Sequence, residues 1–285
     1  MSPRHLLLVF ALAAACGGES GKPPATTGAA DTSLRAPDGS PVPGEALGRS
    51  ILRGRAILAA TRDSLPAHVG NALRCTSCHL GDGREPAAMP LTGSYARFPQ
   101  FRWRSASVQR IEDRINDCFL RSLNGSALAW DDPAMRDIVA YLAFISRGVA
   151  VGDTSSFAIG AMLTGDTVAG AGIYASRCAR CHGVADGAGV RIAAFPPLFG
   201  PMSFNIGAGM ARMRTIQAFV LRNMPRDSAG TLTPSQAADV AAYVTSRSRP
   251  DFTDKQRDWP CGHRPADAPY TTLAAGCPAG ISRSQ

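Results

Sequence analysis

The spacing of apolar and polar residues predicts a chain built mainly of α-helices. Two segments combine apolar residues at helical spacing with clear start signals. The first begins at Asp132, a residue type that caps helix N-termini, and ends near Gly148. The second begins at Thr233, continues through Gln236, which completes a capping box, and ends before Pro250. A proline follows each cap, as is common at the first helical position.

One five-residue motif occurs twice. It reads Cys75-Thr-Ser-Cys78-His79 in the first half of the chain and Cys178-Ala-Arg-Cys181-His182 in the second. In such a motif two thiols lie on one turn, where they form thioether bonds to a haem, and the imidazole takes an axial position on the iron. A zinc site needs four ligands around one ion. Two complete motifs therefore favour two covalently bound haem c groups.

The spacing between the motif and the later helix is nearly the same in both halves, which predicts two tandem domains. The interval from His79 to Tyr141 on the first helix almost equals the interval from His182 to Tyr243 on the second. The expected boundaries are 49–150 for the first domain, 151–250 for the second and 251–285 for an irregular C-terminal tail.

The N-terminal residues resemble an export signal. An apolar run from Leu6 to Ala15 precedes Cys16 and is too short to cross a bilayer. We expect a signal peptide over 1–15 and a lipidated Cys16, as in a bacterial lipoprotein; ordinary export with cleavage nearby is the alternative. Small and polar residues over 16–48 predict a flexible tether. The protein is then periplasmic or held at a membrane by lipid alone, where cysteine pairs can stay oxidised.

The charge balance favours an anionic partner or substrate. The chain has 30 Lys and Arg against 22 Asp and Glu, a net charge of +8. Only two of the basic residues are Lys, and no basic run or nucleic-acid motif accompanies them, which argues against nucleic acid.

The second half resembles a class I cytochrome c. Gly170 and Tyr174 precede its motif in the pattern Gly-x-x-x-Tyr. In that class the glycine lets the first and last helices cross closely, and the aromatic residue packs beside one on the last helix, here Tyr243. The equivalent positions of the first half hold Ala67 and Asn71. The pattern therefore predicts this crossing only in the second half, whereas the haem-binding motifs predict a haem in both.

The second axial ligand decides the chemistry of each haem, because it tunes the potential and the access to the iron. In the second half Met224 lies between His182 and the final helix, shortly before that helix begins. Met210 competes with it, although it also fits the start of a helix running to Arg222. Core packing is the ordinary role of a methionine. We take Met224 as the favoured ligand.

The first half offers a cysteine in the corresponding place. No methionine lies between Arg102 and Asn124, whereas Cys118 follows His79 at roughly the interval that separates Met224 from His182. A thiolate there gives His/Cys ligation and a lower potential than His/Met ligation. Met89 is the fallback ligand, and a buried structural thiol is the remaining alternative.

Two cysteines are left without a role. Cys261 and Cys277 lie among prolines in the C-terminal tail. We expect a disulfide between them, which the oxidising location permits.

Several stretches resemble the dihaem thiosulfate dehydrogenases, over about residues 49 to 250. The longest are Asn71-Ala-Leu-Arg-Cys-Thr-Ser-Cys-His-Leu80, Tyr95-Ala-Arg-Phe-Pro-Gln-Phe101 and Glu112-Asp-Arg-Ile-Asn-Asp-Cys118-Phe-Leu-Arg-Ser-Leu-Asn-Gly125. Shorter ones are Pro196-Pro-Leu-Phe-Gly-Pro201, Ser203-Phe-Asn205 and Gly207-Ala-Gly-Met210.

The resemblance implies oxidation of two thiosulfate ions to tetrathionate, or the reverse, at a His/Cys haem. Electrons leave through the second haem to a small cytochrome c or similar acceptor. Carried over by motif position, Cys118 is the axial and catalytic thiolate, and the anion pocket is lined by Arg104, Arg114 and Ser122. Guanidinium groups suit this role because their planar forks match oxyanions.

Two other functions remain open. One is a non-catalytic dihaem electron-transfer cytochrome c that partners a sulfur-oxidising or respiratory enzyme. The other is a haem-bearing subunit that conjugates thiosulfate to a carrier protein.

Overall fold

The computed structural model describes residues 33–152, 160–184 and 195–281, and these residues are mainly helical. The helices are α1 (Glu45–Ala59), α2 (Thr61–Ser64), α3 (Ile111–Asp117), α4 (Pro133–Phe144), α5 (Thr167–Arg177), α6 (Ala179–His182), α7 (Met213–Asn223) and α8 (Pro234–Ser246). The strands β1 (Gln100–Arg102) and β2 (Ser107–Gln109) form an antiparallel hairpin. Single 3₁₀ turns lie at Pro66–His68, Cys75–Ser77, Tyr95–Arg97, Gly209–Ala211, Arg226–Ser228 and Thr253–Arg257, and a π-helical turn spans Cys118–Ser122.

The predicted starts of α4 and α8 are confirmed. The Asp132 carboxylate accepts a hydrogen bond from the Ala134 backbone N–H at 2.7 Å. The Thr233 hydroxyl accepts one from the Gln236 N–H at 3.2 Å, and the Gln236 side chain accepts the Thr233 N–H at 3.0 Å. Each cap thus satisfies an N–H group that the helix itself leaves without a partner.

In the second half, α5 and α8 cross at Gly170 as expected. A Cβ atom on Gly170 would lie 2.0 Å from the Asp239 carbonyl oxygen, so only glycine fits this crossing without a shift. Tyr174 packs against Tyr243 with 5.1 Å between ring centroids. The Tyr174 hydroxyl donates to the Gly183 carbonyl oxygen at 2.6 Å, which ties α5 to the end of the haem-binding motif.

The first half also has this crossing, although the Gly-x-x-x-Tyr pattern is absent from the expected positions. A Cβ atom on Gly54 of α1 would lie 2.0 Å from the Asp137 carbonyl oxygen of α4 and 2.9 Å from Cβ of Tyr141. Leu58 follows Gly54 at the spacing that separates Tyr174 from Gly170, and its side chain is buried. α2 and a 3₁₀ turn lie between α1 and the haem-binding motif. The crossing glycine of the first half is therefore further upstream of its motif than Gly170 is of the second motif.

The predicted tether over 16–48 extends too far. Leu34 and Ala36 are buried in the main core, and an isolated β-bridge joins Arg35 to Pro41. Burial of these two apolar side chains favours an ordered segment here despite its composition. The signal peptide over 1–15, Cys16 and the tether up to 32 lie outside the described residues. No helix in the described ranges is both long and apolar enough to cross a membrane.

Buried asparagines join the two halves. The Asn71 amide donates to the carbonyl oxygens of Ser122, at 2.8 Å, and Ser203, at 3.1 Å. The Asn205 amide donates to the Leu120 carbonyl oxygen at 2.9 Å. One apolar core continues through both halves. Because unsatisfied buried amides are costly, these bonds fix the two halves in one register.

The C-terminal tail packs on the body with few regular elements. The expected disulfide between Cys261 and Cys277 is present. Trp259 and Tyr270 form a small buried cluster of their own, against which Trp103 of the first half packs.

Candidate active site

The first Cys-x-x-Cys-His motif forms a tight turn. The Cys75 carbonyl oxygen accepts the His79 N–H at 3.0 Å. Burial raises the pKa values of Cys75 and Cys78 to about 12, so neither is a reactive thiolate. Both thiols are unbridged in the described structure. This favours thioether attachment over a redox dithiol.

His79 is oriented by a backbone carbonyl. Its Nδ1 donates to the Met89 carbonyl oxygen at 2.5 Å, which leaves Nε2 for a metal. The backbone of Met89 is thereby tied to the histidine itself, which argues against Met89 as the ligand on the other side of an iron. No group of His, Cys, Asp and Glu that could hold a metal ion by itself occurs in the described ranges, so the zinc alternative has no support there.

Cys118 lies in the cavity that the motif lines. This cavity has a volume of about 570 Å³ and includes Cys75, Cys78 and His79 in its wall. Most of the lining is apolar, as for Leu58, Leu142 and other helix residues. The Ser94 hydroxyl oxygen, also in the wall, is buried without a hydrogen-bond partner. A large apolar cavity with a histidine, a thiol and an orphan polar atom fits a haem.

Cys118 has the electrostatics of a thiolate. Burial alone would raise its pKa, but the charge of Arg114 and a hydrogen bond from His79 outweigh burial and lower the pKa to about 7. Nη1 of Arg114 donates to Sγ of Cys118 at 3.0 Å. Cys118 opens the π-helical turn, a geometry often found at functional sites.

The second motif lines a separate cavity of about 410 Å³. His182 Nδ1 donates to the Pro196 carbonyl oxygen at 2.8 Å, the same arrangement as in the first half. Both Met210 and Met224 line this cavity with His182. The two haem cavities share Leu73, Arg74 and Cys78 in their walls, so they adjoin one another.

A third cavity, of about 320 Å³, is strongly cationic and is called the anion pocket below. Its charged lining consists of one carboxylate, that of Asp117, and five arginines: Arg102, Arg104, Arg114, Arg121 and Arg212. It shares Arg102, Arg114 and Ser122 with the first haem cavity. The pocket therefore opens beside Cys118.

The structure brings the site residues expected from the sequence together. Arg104, Arg114 and Ser122 line the anion pocket, and Cys118 lies in the adjoining cavity. Nη1 of Arg104 donates to the Gly207 carbonyl oxygen at 3.0 Å. Burial, followed by the charge of Arg121, lowers the pKa of Arg104.

Sequence reasoning missed the contribution of the second half and of the tail. Trp259 lines the anion pocket and stacks on the Arg104 guanidinium, 4.6 Å from ring centroid to Cζ. Asp258 accepts from both terminal nitrogens of Arg121 at 2.9 Å each. Arg212 enters from the second half. No spacing in the sequence connects these residues to Cys118, because only tertiary packing brings them there.

The fold and the two motif-lined cavities define a dihaem c-type cytochrome. The model of the SoxA/TsdA cytochrome c domain matches residues 67–151, and that of cytochrome c oxidase, cbb3-type, subunit III matches 165–244. The chain is 43% identical over 237 residues to a thiosulfate dehydrogenase of Allochromatium vinosum, covering 79% of this chain and 87% of that protein. It is 37% identical to one of Psychrobacter arcticus, covering 85% and 78%.

A solved structure is similar to this chain as well. The thiosulfate dehydrogenase (TsdBA) from Marichromatium purpuratum superposes with a TM-score of 0.69 at 33% identity, covering 74% of this chain and 49% of that chain, about half its length. The chain thus belongs to the thiosulfate dehydrogenase family, and its two cytochrome c domains carry two covalently bound haem c groups.

Proposed function

We propose that the protein oxidises two thiosulfate ions to tetrathionate beside Cys118. The observation that carries the proposal is the position of the anion pocket, whose arginine-rich wall shares Arg114 and Ser122 with the cavity that holds Cys118 and His79. The curated relatives bear the name of this activity. In the balanced reaction two S₂O₃²⁻ give S₄O₆²⁻ and two electrons, and no proton is taken up or released.

The arginines offset the repulsion between the negatively charged reactants. Two thiosulfate dianions and a thiolate repel one another; even two unit charges 4 Å apart cost about 4 kcal/mol at an effective dielectric constant near 20. Arg114, which bonds Cys118 Sγ at 3.0 Å, and Arg104 supply the opposing charge. Their N–H groups and the Ser122 hydroxyl orient the sulfonate oxygens of the two thiosulfate ions. The sulfane sulfur of one ion then faces Cys118, and the sulfane sulfur of the second ion faces that of the first.

We assign His79 and Cys118 to hold the first haem and His182 and Met224 to hold the second. When bound, the two haems accept one electron each, which matches the two electrons released. Because the two cavities share a wall, a haem held by His182 and Met224 would adjoin the first and could pass electrons on to a small cytochrome c or similar acceptor. When tetrathionate is supplied to the reduced protein, the reverse reaction consumes two electrons and yields two thiosulfate ions.

We also propose that the protein acts in the periplasm and is anchored only by lipid at Cys16. Globomycin, which blocks lipoprotein signal cleavage, should cause the precursor to accumulate. A Cys16→Ser variant that still fractionates with membranes contradicts the anchor.

The function is tested by mixing the pure oxidised holoprotein with thiosulfate without oxygen. We expect the reduced haem absorption bands to appear and tetrathionate to form in proportion. If the protein is reduced only after a partner is added, the electron-carrier function is correct instead. If a carrier protein is required and becomes conjugated to thiosulfate, the third function is correct.

The role of Cys118 is tested by Cys118→Met and Cys118→Gly. Both variants should retain two haems and lose turnover, and electron paramagnetic resonance should show a low-spin thiolate signal in the wild type alone. Two identical His/Met signals in the wild type, or full turnover in either variant, contradict the assignment. Met224→Leu should shift the potential of the second haem, whereas Met210→Leu should not.

The anion pocket is tested by Arg114→Gln. Losing a charge-assisted bond, worth about 1.5–3 kcal/mol, should lower kcat/KM for thiosulfate about 10- to 150-fold. Arg110→Gln is the matched control, because Arg110 is the N-cap residue of the helix that contains Arg114, but its side chain stacks on exposed Trp130 and is absent from the pocket wall. Equal effects of the two variants contradict the role of Arg114.

A further inference from the structure

The wall of the anion pocket includes residues from the second half of the chain that the proposed reaction does not yet use. Arg114, Arg102 and Ser122 form the part of the wall shared with the first haem cavity. Arg212, Gly209 and Thr215 belong to the part that is not shared, and all three come from the second half of the chain.

Arg212 is the arginine that the second half contributes to the pocket wall, and one of its nitrogens is left for a ligand. Its Nε donates to Asp267 at 2.9 Å, and its Nη2 is bonded to the same oxygen. Nη1 makes no hydrogen bond within the described part of the chain, and a quarter of the side chain is exposed (25%). Arg121, by contrast, uses both terminal nitrogens on Asp258.

The surroundings of Arg212 fix the position of its guanidinium group. Arg212 directly precedes α7, and the Asp267 carboxylate lies against both the guanidinium and the start of that helix. Asp267 also accepts the Arg214 backbone N–H at 3.1 Å, which fixes the start of α7. Asp267 is itself held in the tail segment closed by the disulfide between Cys261 and Cys277. The guanidinium is therefore held in place before any ligand arrives.

Tetrathionate suits a pocket whose wall holds arginines from both halves of the chain. It carries one sulfonate at each end of a chain of two further sulfur atoms, and the two thiosulfates that form it must meet with their sulfonates pointing apart. The pocket volume of about 320 Å³ lies at the lower end of the range of about 300–1,000 Å³ for small-molecule sites, which leaves room beyond one thiosulfate.

We propose that Arg212 binds the far sulfonate of tetrathionate and of the second thiosulfate, so that the second haem domain completes the substrate site. This inference rests on the proposed function and deepens it. Arg212 is a specificity-determining residue: it selects anions with two sulfonates over those with one. Asp267 is a positioning residue that acts through Arg212.

The test is the binding of potassium tetrathionate to the oxidised holoprotein, measured by calorimetry. No electrons are available in this state, so binding is separated from turnover. Arg212→Gln should raise the Kd for tetrathionate about 10- to 150-fold, the range for losing a hydrogen bond to a charged group, and leave the Kd for sulfate unchanged. Arg212→Lys should retain part of the affinity, because lysine keeps the positive charge but lacks the planar pair of N–H donors of a guanidinium group.

Arg214→Gln is the matched control. Arg214 is close in sequence, exposed, and bonded to the Gly160 carbonyl oxygen outside the pocket. Unchanged tetrathionate affinity in Arg212→Gln, or an equal loss in Arg214→Gln, overturns the inference while thiosulfate oxidation by the wild type still stands. Selective loss in Arg212→Gln supports it even if the wild type fails to oxidise thiosulfate, a result that defeats the proposed function alone.

Discussion

The substitution Asp258→Asn tests how the C-terminal tail stabilises the anion pocket. The Asp258 side chain is only 5% exposed and accepts from both terminal nitrogens of Arg121. Arg104 lies 3.7 Å away, and the Tyr270 hydroxyl donates to the same carboxylate. Asparagine keeps the shape of the side chain but removes the charge and turns an N–H₂ group toward guanidinium groups. Two largely buried cations then lose a counter-ion that both contact.

The size of the effect follows from this burial. Breaking a buried ion pair by removing one partner costs about 3–5 kcal/mol. We expect the lower value, about 3 kcal/mol, because Asp117 remains 3.3 Å from Nε of Arg121 and the asparagine oxygen still accepts one bond. Each kcal/mol lowers the melting temperature of a protein of this size by about 2–4 °C, so the expected decrease is about 6–12 °C.

The measurement is thermal unfolding of the oxidised holoprotein, followed by circular dichroism, with haem absorbance recorded to confirm that both haems remain. Asp254→Asn is the control, because Asp254 lies in the same tail and pairs with Arg257 at 3.6 Å, with both side chains exposed. Such surface pairs contribute about 0–1 kcal/mol. If both variants melt within about 2 °C of each other, the buried pair does not stabilise the tail and the reasoning fails.

Further predictions concern the helix crossings and the disulfide. Gly54→Ala and Gly170→Ala should each destabilise the protein by about 1–3 kcal/mol in denaturant unfolding, because the new methyl group meets a backbone carbonyl 2.0 Å away. Gly172→Ala, with nothing within 4 Å, should instead stabilise α5 by up to about 1 kcal/mol, and equal destabilisation by all three contradicts the crossing geometry. Replacing Cys261 and Cys277 by Ser should cost about 3 kcal/mol, as for a closed loop of about 15 residues, and an unchanged unfolding midpoint contradicts a role in stability.

Local patterns predicted much of the fold. The caps at Asp132 and Thr233 could be identified from the sequence because a cap involves residues only a few positions apart. The haem-binding turns could be identified because a Cys-x-x-Cys-His motif contains all its attachment groups within one turn. Gly54 could not be found, since its partner on α4 is distant in sequence and the interval before the motif contains an additional helix.

The sequence by itself determined the chemistry: two haem-binding motifs, a lone mid-chain thiol and nearby arginines on the same stretch of chain. Only the tertiary structure decided which groups surround that thiol. Arg212 and Trp259 reach the anion pocket from a different domain and from the tail, and Asp258 neutralises arginines that lie far before it in the sequence. The physical reason is that a motif records contacts between neighbours in the chain, whereas a charged pocket depends on burial and charge contributed by every segment that packs around it.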